Sequence, residues 1–103
     1  MEIVVFITVP SQRQARRIGR HLVDGRLAAC VNAVPRVTSW FRWHGKAQET
    51  REVLLIVKTR ARLFKALEET VKRLHPYTVP EIIALPVVKG SNEYLAWVRD
   101  ETM

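Results

Sequence analysis

Two long apolar segments joined by a glycine-containing turn constrain the fold of this chain more than any other feature. Residues 27–43 are rich in β-branched and aromatic side chains, and residues 52–58 read Glu-Val-Leu-Leu-Ile-Val-Lys. Both compositions are typical of β-strands, and the continuous apolar run of the second is typical of a strand covered on both faces. The turn falls near His44, Gly45 and Lys46, where glycine permits unusual backbone angles. The sequence therefore predicts an oversized β-hairpin.

The predicted hairpin is longer than the domain that carries it. Its first arm has 17 residues, which would extend about 55 Å at the usual rise of a strand. A globule of 103 residues has a diameter of only roughly 35 Å. Pro35 cannot donate a ladder hydrogen bond, so we expect a bend or bulge there.

Three aromatic residues, Trp40, Phe41 and Trp43, lie at the end of the hairpin that should overhang. An exposed aromatic strand end pairs readily with other chains. The sequence therefore predicts an obligate homo-oligomer with these three residues at its interface. The alternative is that this end folds back onto the helices of its own chain.

The size and composition of the chain limit its class. The 103 residues are expected to form one domain, residues 1–103, and Cys30, the only cysteine, is expected to be a small buried side chain. No apolar run approaches the ~20 residues that cross a bilayer, and the start lacks the basic residues of a secretory signal. A cytoplasmic protein without membrane contact is expected. Abundant arginine and few asparagines favour a thermostable protein.

The first part of the chain reads as a strand followed by a helix. Residues 2–9 are apolar and end at a proline. Ser11 and Gln14 have the spacing of a capping box, in which the serine hydroxyl accepts from a free backbone N–H of the first turn. Gly25 is a natural end for the helix that follows.

The last part of the chain adds a helix, a strand and a helix. Thr59 is predicted to cap a second helix, residues 81–88 to form a strand, and Ser91 or Asn92 to begin a short last helix. The complete order is β-α-β-β-α-β with a C-terminal helix. This order predicts an α+β fold, a ferredoxin-like sandwich in which helices cover one face of an antiparallel sheet.

The formal charge of +7 is concentrated on the first helix, at Arg13, Arg16, Arg17 and Arg20. Such a row is either a solvated helix face or an anion-binding surface. RNA-recognition motifs place exposed aromatic side chains on the third strand. Here residues 53–57 are aliphatic, so we expect no nucleic-acid partner.

The residues with chemical potential collect in a proline-stiffened segment that contains His75, Tyr77 and Glu81. His75 could serve as a metal ligand or carry protons. The alternative is structural: His75 caps the last carbonyls of its helix, and Tyr77 bonds a neighbouring backbone group. No spacing matches a catalytic triad or a multidentate metal motif, so we expect that the protein is not an enzyme.

Several short motifs in order make a family resemblance visible. They are Leu27-Ala28-Ala29-Cys30-Val31-Asn32, Ser39, Trp43 with Gly45-Lys46, Glu52, Lys58-Thr59, His75-Pro76-Tyr77 with Pro80-Glu81, and Tyr94 with Trp97. Together they resemble the CutA divalent-cation-tolerance family over essentially the whole chain. The resemblance implies a ferredoxin-like subunit in a tight homotrimer, in which each long hairpin extends the sheet of its neighbour. It also implies a cytoplasmic role in tolerance of copper and other divalent cations.

The resemblance leads to two hypotheses about a site. In the first, the protein binds copper or another divalent cation directly, with His75 as the metal ligand; in members proposed to bind copper, Cys and His occupy the positions of Ile7 and Leu74. In the second, a trimer similar to the PII signalling proteins holds a small anionic ligand in clefts between subunits. The candidate cleft residues are Trp43, Lys58, His75, Tyr77 and Glu81. The structural alternatives are that Trp43 is interface core and that Lys58 pairs with Glu52 or Glu81.

Overall fold

The computed structural model describes residues 1–103. Its elements, in chain order, are β1 Glu2–Val9, α1 Gln12–Asp24, β2 Cys30–Trp43, β3 Lys46–Arg60, a single 3-10 turn at Ala61–Leu63, α2 Phe64–Leu74, β4 Ile82–Pro86 and α3 Asn92–Glu101. The predicted α+β order is confirmed. The strands form one antiparallel sheet in the order β2-β3-β1-β4. No helix is long and apolar enough to span a bilayer.

One face of the sheet carries the hydrophobic core. Alternate residues of β1 and β3 pack there against the apolar stripes of α1 and α2, as period-2 and period-3.6 patterns require. The fully buried members of this cluster are Val5, Ile7, Val9, Ile18, Leu22, Leu55, Val57, Leu67 and Val71. We call this the helix-covered face.

The opposite face, here called the open face, is covered only at one end. There α3 buries Val98, and Arg99 donates to Glu2 at 3.2 Å. Toward the middle, Ile83 and Leu85 of β4 are 54% and 51% exposed. For most of its length β3 is therefore covered on one face rather than on both, because α3 lies only over the end near Arg60.

The hairpin formed by β2 and β3 turns where the sequence predicted. Trp43 pairs with Lys46, and the two residues between them, His44 and Gly45, have φ values of 50° and 77°. Two central residues with positive φ give the type I′ geometry, which matches the twist of the flanking strands.

The expected irregularity at Pro35 is a β-bulge. Val34 pairs with Leu54 and Val37 with Glu52, so β2 advances three residues while β3 advances two. The extra residue, Arg36, has φ 59°. Beyond the bulge the hairpin overhangs, and the longest dimension of the chain is 44 Å against 25 and 23 Å for the others. Trp40 is 71% exposed, so the end does not fold back onto the helices.

Two local predictions about capping are confirmed and a third is wrong. Ser11 Oγ accepts from the Gln14 N–H at 3.2 Å, and Ser91 caps α3. Thr59, however, lies within β3, and its hydroxyl donates to the Leu27 carbonyl at 2.7 Å. The strand continues past Thr59 because Glu2 of β1 pairs with Arg60.

Two further expectations need correction. β4 is shorter than residues 81–88, because its ladder with β1 extends only over Ile82–Pro86. Cys30 is half-buried rather than buried, and its Sγ lies 3.7 Å from Asn32 Oδ1. Its position near the start of the edge strand β2 leaves one side without a covering strand.

Candidate functional site

His75 anchors the segment between α2 and β4 to the end of β1. The side chain is buried, its Nε2 lies 2.7 Å from the Thr8 carbonyl oxygen, and its Nδ1 lies 3.1 Å from the Tyr77 backbone nitrogen. Because a carbonyl only accepts and an amide N–H only donates, Nε2 carries the proton and Nδ1 accepts. Both ring nitrogens are thus engaged, and the imidazole holds the loop in place.

Tyr77 connects this loop to the hairpin. Its hydroxyl donates to Glu52 Oε2 at 2.8 Å, across 25 residues of sequence. Burial raises the pKa of Tyr77 to about 12, and the hydrogen bond to Glu52 and the charge of that carboxylate act in the same direction. The phenol therefore stays protonated and works as a hydrogen-bond donor over the physiological pH range.

Glu52 and Glu81 carry the charge of this region. Glu52 is 7% exposed and lies in β3, just beyond the bulge, whereas Glu81 precedes β4 and is exposed. Burial raises the pKa of Glu81, and the negative charge of Glu52 raises it further. Two carboxylates on adjoining elements repel each other, and a proton or a cation between them relieves that repulsion.

A cleft of about 870 Å³ opens above these carboxylates, between the projecting part of the hairpin and the loop before β4. We call it the acidic cleft, because its wall includes three glutamates and no lysine, arginine or histidine. The lining residues are Thr8, Ser39, Trp40, Phe41, Trp43, Gln48, Glu49, Thr50, Glu52, Pro76, Tyr77, Thr78, Val79 and Glu81. Glu49 accepts from the Trp40 indole N–H at 2.7 Å, which fixes part of the aromatic wall.

The structure brings together four of the five predicted cleft residues. Tyr77, Glu81 and Trp43 line the acidic cleft. His75 does not line it but contacts two residues that do, Thr8 and Tyr77. Lys58 is elsewhere: it pairs across the ladder with Cys30, and its Nζ hydrogen-bonds Asn32 Oδ1. Six residues along β3 separate it from the cleft, roughly 20 Å of strand. The alternative of an ion pair to Glu52 or Glu81 is not realised, because neither carboxylate is among the partners of Lys58.

The predicted interface residues form the outer wall of the acidic cleft. Phe41 and Trp43 are 42% and 44% exposed, and the Trp43 ring meets that of His44 edge-on at 4.9 Å between centroids. Half-exposed rings on a projecting hairpin leave apolar area that another molecule can cover. Their role at a subunit interface stays a prediction.

Sequence reasoning did not place Thr8, Glu49 or Glu52 at the cleft. Thr8 acts through its backbone carbonyl, which any residue type supplies. Glu49 and Glu52 come to the cleft through the register of the hairpin, Trp40 opposite Glu49 and Val37 opposite Glu52. Counting back from the turn at Gly45 would have placed Glu49, whereas Glu52 also required the position of the bulge.

The fold and the cleft together define a class, ferredoxin-like α+β chains whose long β2–β3 hairpin projects beyond the sheet and walls an acidic cleft. The chain belongs to the CutA1 divalent ion tolerance protein family, whose family model matches residues 3–101.

The similarity extends to relatives from distant organisms. The chain is 58% identical over 102 residues to the divalent-cation tolerance protein CutA of Thermus thermophilus, covering 99% of both proteins. It is 48% identical over 97 residues to Protein CutA of Homo sapiens, covering 94% of this chain but 54% of the human protein. The chain thus spans about half the length of the human relative.

Solved structures agree with the fold. The divalent cation tolerance protein CutA1 of Thermus thermophilus superimposes with a TM-score of 0.98 at 57% identity, covering 100% of both chains. CutA1 from Oryza sativa superimposes with a TM-score of 0.96 at 46% identity, covering 99% of this chain and 94% of that one.

Proposed function

We propose that this chain forms a homotrimeric, non-catalytic protein of divalent-cation tolerance that binds a divalent cation in the acidic cleft. The observation that carries this proposal is the wall of the cleft, with three glutamates and no basic side chain. A cleft lined by one sign of charge concentrates ions of the opposite sign. The printed names of the family and of the Thermus relative refer to divalent-cation tolerance, which agrees with this chemistry.

The side chains in the cleft suit weak binding of a cation that prefers oxygen ligands, and they do not suit a permanently bound copper ion. No group of three or more His, Cys, Asp or Glu side chains is close enough to hold a metal. Glu52 and Glu81 offer carboxylate oxygens, which suit hard cations such as Mn²⁺, with water completing the shell. Under the other hypothesis, in which His75 binds copper, the imidazole ring would have to give up its hydrogen bond to Thr8 or to Tyr77.

The exposed apolar surface supports the proposed homotrimer. Ile83 and Leu85 leave apolar area on the open face and Trp97 leaves more on α3, and each is more than 40% exposed. The edge strands are β2 and β4, one on each side of the sheet. Contacts between unlike edges are head-to-tail, and such contacts form a ring when the rotation between neighbouring chains closes. Three chains arranged in this way would cover both the open face and the overhanging hairpin.

The second candidate function is a cleft for a small organic ligand, as in PII-like signalling trimers. Its support is the size of the cleft, about 870 Å³ with aromatic side chains on one wall, which exceeds what a hydrated ion fills. An anionic ligand would need a basic residue, and within one chain Lys58 does not reach this cleft. A neighbouring chain would have to supply the positive charge.

Calorimetric titration with Mn²⁺ and Cu²⁺ separates these functions. We expect saturable Mn²⁺ binding in the wild type, at least about tenfold weaker in Glu52→Gln and in Glu81→Gln, a loss of roughly 1.4 kcal/mol. Glu69→Gln is the matched control, because Glu69 is an exposed carboxylate on α2, outside the cleft. Native mass spectrometry of the same samples should give about three times the chain mass of 11.9 kDa.

Three results would contradict the proposal in different ways. Copper binding that is lost in His75→Ala but kept in both glutamate variants would favour the imidazole site. Absence of saturable binding for either ion would favour the organic-ligand function, which predicts salt-sensitive anion binding lost in Lys58→Ala. A native mass equal to that of one chain would contradict the proposed trimer.

A further inference from the structure

A second concavity lies on the helix-covered side of the sheet, between α1 and the edge strand β2. It is an open groove with a volume of about 350 Å³, and it shares no lining residue with the acidic cleft. We call it the α1–β2 groove. Its lining includes Arg16, Gly19, Arg20, Asp24, Val31 and Ala33.

The floor of the groove is apolar because α1 carries small side chains where it passes β2. Gly19 lies over Val31, and a Cβ atom built on Gly19 would lie 3.5 Å from Val31 Cγ1. That distance is ordinary van der Waals contact, so a methyl group would fit and a larger side chain would fill the groove. Ala33 on β2 is exposed, which keeps the floor open at its other end.

The rim of the groove is basic. Arg16 and Arg20 are exposed on α1, and Arg16 has no carboxylate partner within the chain. Arg20 has only a long contact to Asp24, 3.9 Å between Nε and Oδ2, with both side chains largely exposed. A contact of that kind is worth little, and two arginines against one aspartate leave the rim with a net charge of +1. The groove therefore combines an apolar floor with an unpaired guanidinium, a fork-shaped donor that suits a carboxylate.

We propose that the α1–β2 groove binds a small amphiphilic anion, a carboxylate with a flexible hydrocarbon body such as a medium-chain fatty acid. The carboxylate would lie at Arg16, and the hydrocarbon would lie along Val31 and Ala33. The volume is in the range of small-molecule sites. This site is on the opposite side of the sheet from the open face, and it does not depend on the proposed cation function.

The proposal is tested by calorimetric titration of the whole chain with sodium decanoate. We expect saturable binding of one decanoate per chain, weakened about tenfold in Arg16→Gln through loss of a charge-assisted hydrogen bond. Arg13→Gln is the matched control, because Arg13 lies on the same helix outside the groove and its loss changes the net charge equally. Binding to this control should stay within about twofold of the wild type.

Filling the groove tests the apolar half of the proposal. Gly19→Leu should abolish decanoate binding, and Ala33→Leu, at an exposed strand position, provides a second filling variant if the first folds poorly. Equal binding by decyltrimethylammonium would overturn the requirement for an anion. Unchanged binding in both filling variants, or an equal loss in Arg13→Gln and Arg16→Gln, would overturn the site.

Discussion

The two halves of β3 belong to one strand but differ in what stabilises them. Residues 53–60 pair with β1, and for most of their length with β2 as well, and their side chains alternate between buried and half-buried. Residues 46–51 pair with β2 alone, and all but Thr50 are exposed. The ladder with β2 and the turn are therefore sufficient to define the geometry of the extension formed by residues 46–51. No helix reaches the extension, so within one chain most of its side chains stay exposed.

The largest effect is expected in the covered half. Leu55→Ala removes a fully buried side chain from the core and should lower the free energy of unfolding by ~2–5 kcal/mol. Gln48→Ala, in the exposed half, should change it by less than about 0.5 kcal/mol. Urea denaturation of both variants measures the difference. Similar losses in the two variants would mean that the halves are stabilised alike.

A smaller effect, dependent on protein concentration, is expected at the aromatic wall. Trp43→Ala removes apolar area that the proposed trimer would cover, and the cost should be about 2 kcal/mol per chain in the assembled state. Because association stabilises by mass action, the melting temperature of the variant should fall more steeply on dilution than that of the wild type. Equal melting temperatures at every concentration would contradict an interface role.

The hydrogen bond between Tyr77 and Glu52, which joins the loop to the hairpin, should contribute less to stability than Trp43 does. Tyr77→Phe removes the hydrogen bond to Glu52 at a cost of roughly 1–2 kcal/mol. The folded-state pKa of Tyr77 is raised from 10.0 to about 12. Its contribution to stability is therefore complete below pH 10.0 and is lost as the pH rises toward 12.

Ultraviolet titration tests whether the tyrosine that ionises near pH 12 is Tyr77. The chain has two tyrosines, and the phenol that ionises near pH 12 should disappear in Tyr77→Phe. It should persist in Tyr94→Phe, although burial and then Cys30 raise the pKa of Tyr94 as well. Persistence of that ionisation in Tyr77→Phe would contradict the assignment.

The smallest effect is expected for Glu81→Gln, and it should be a gain in stability rather than a loss. Burial and the charge of Glu52 raise the pKa of Glu81, so the folded chain holds this proton more tightly than the unfolded chain does. The resulting stability is present below the ordinary carboxyl pKa and is lost as the pH rises through the raised one. Glu81→Gln should therefore slightly raise the melting temperature at pH 7, and the gain should vanish in acid. A lower melting temperature at pH 7 would mean that Glu81 is favourably paired.

Local signals predicted much of the fold, and long-range pairing produced the errors. Ser11 and Gly45 act within a few residues of their own positions, so capping and turn chemistry located them correctly. Thr59 has the chemistry of a helix cap, but the pairing of Glu2 with Arg60 extends β3 past it. Propensity yields to tertiary pairing at such positions.

The grouping of Tyr77 with Glu81 was predictable from the sequence, but the geometry around them was not. Tyr77 and Glu81 are close in sequence and lie in one proline-stiffened loop, so their common location followed directly. The contacts of Tyr77 with Glu52 and of His75 with Thr8 span 25 and 67 residues. They depend on strand register and loop path, which no local pattern specifies. Lys58 was grouped with the cleft through the resemblance, although its ladder position places it near Asn32.

The bulge at Pro35 and Arg36 has a consequence for how the length of the hairpin can vary. Because β2 gains one residue there, Phe41 and Trp43 lie on the same side as Glu52, through the pairs Phe41–Gln48 and Trp43–Lys46. Insertion of one residue in each arm beyond the bulge would exchange the inward and outward side chains of everything nearer the turn. Insertion of two residues in each arm beyond the bulge would instead lengthen the projection and preserve every orientation. Natural length variants of this hairpin are therefore expected to differ by even numbers of residues per strand.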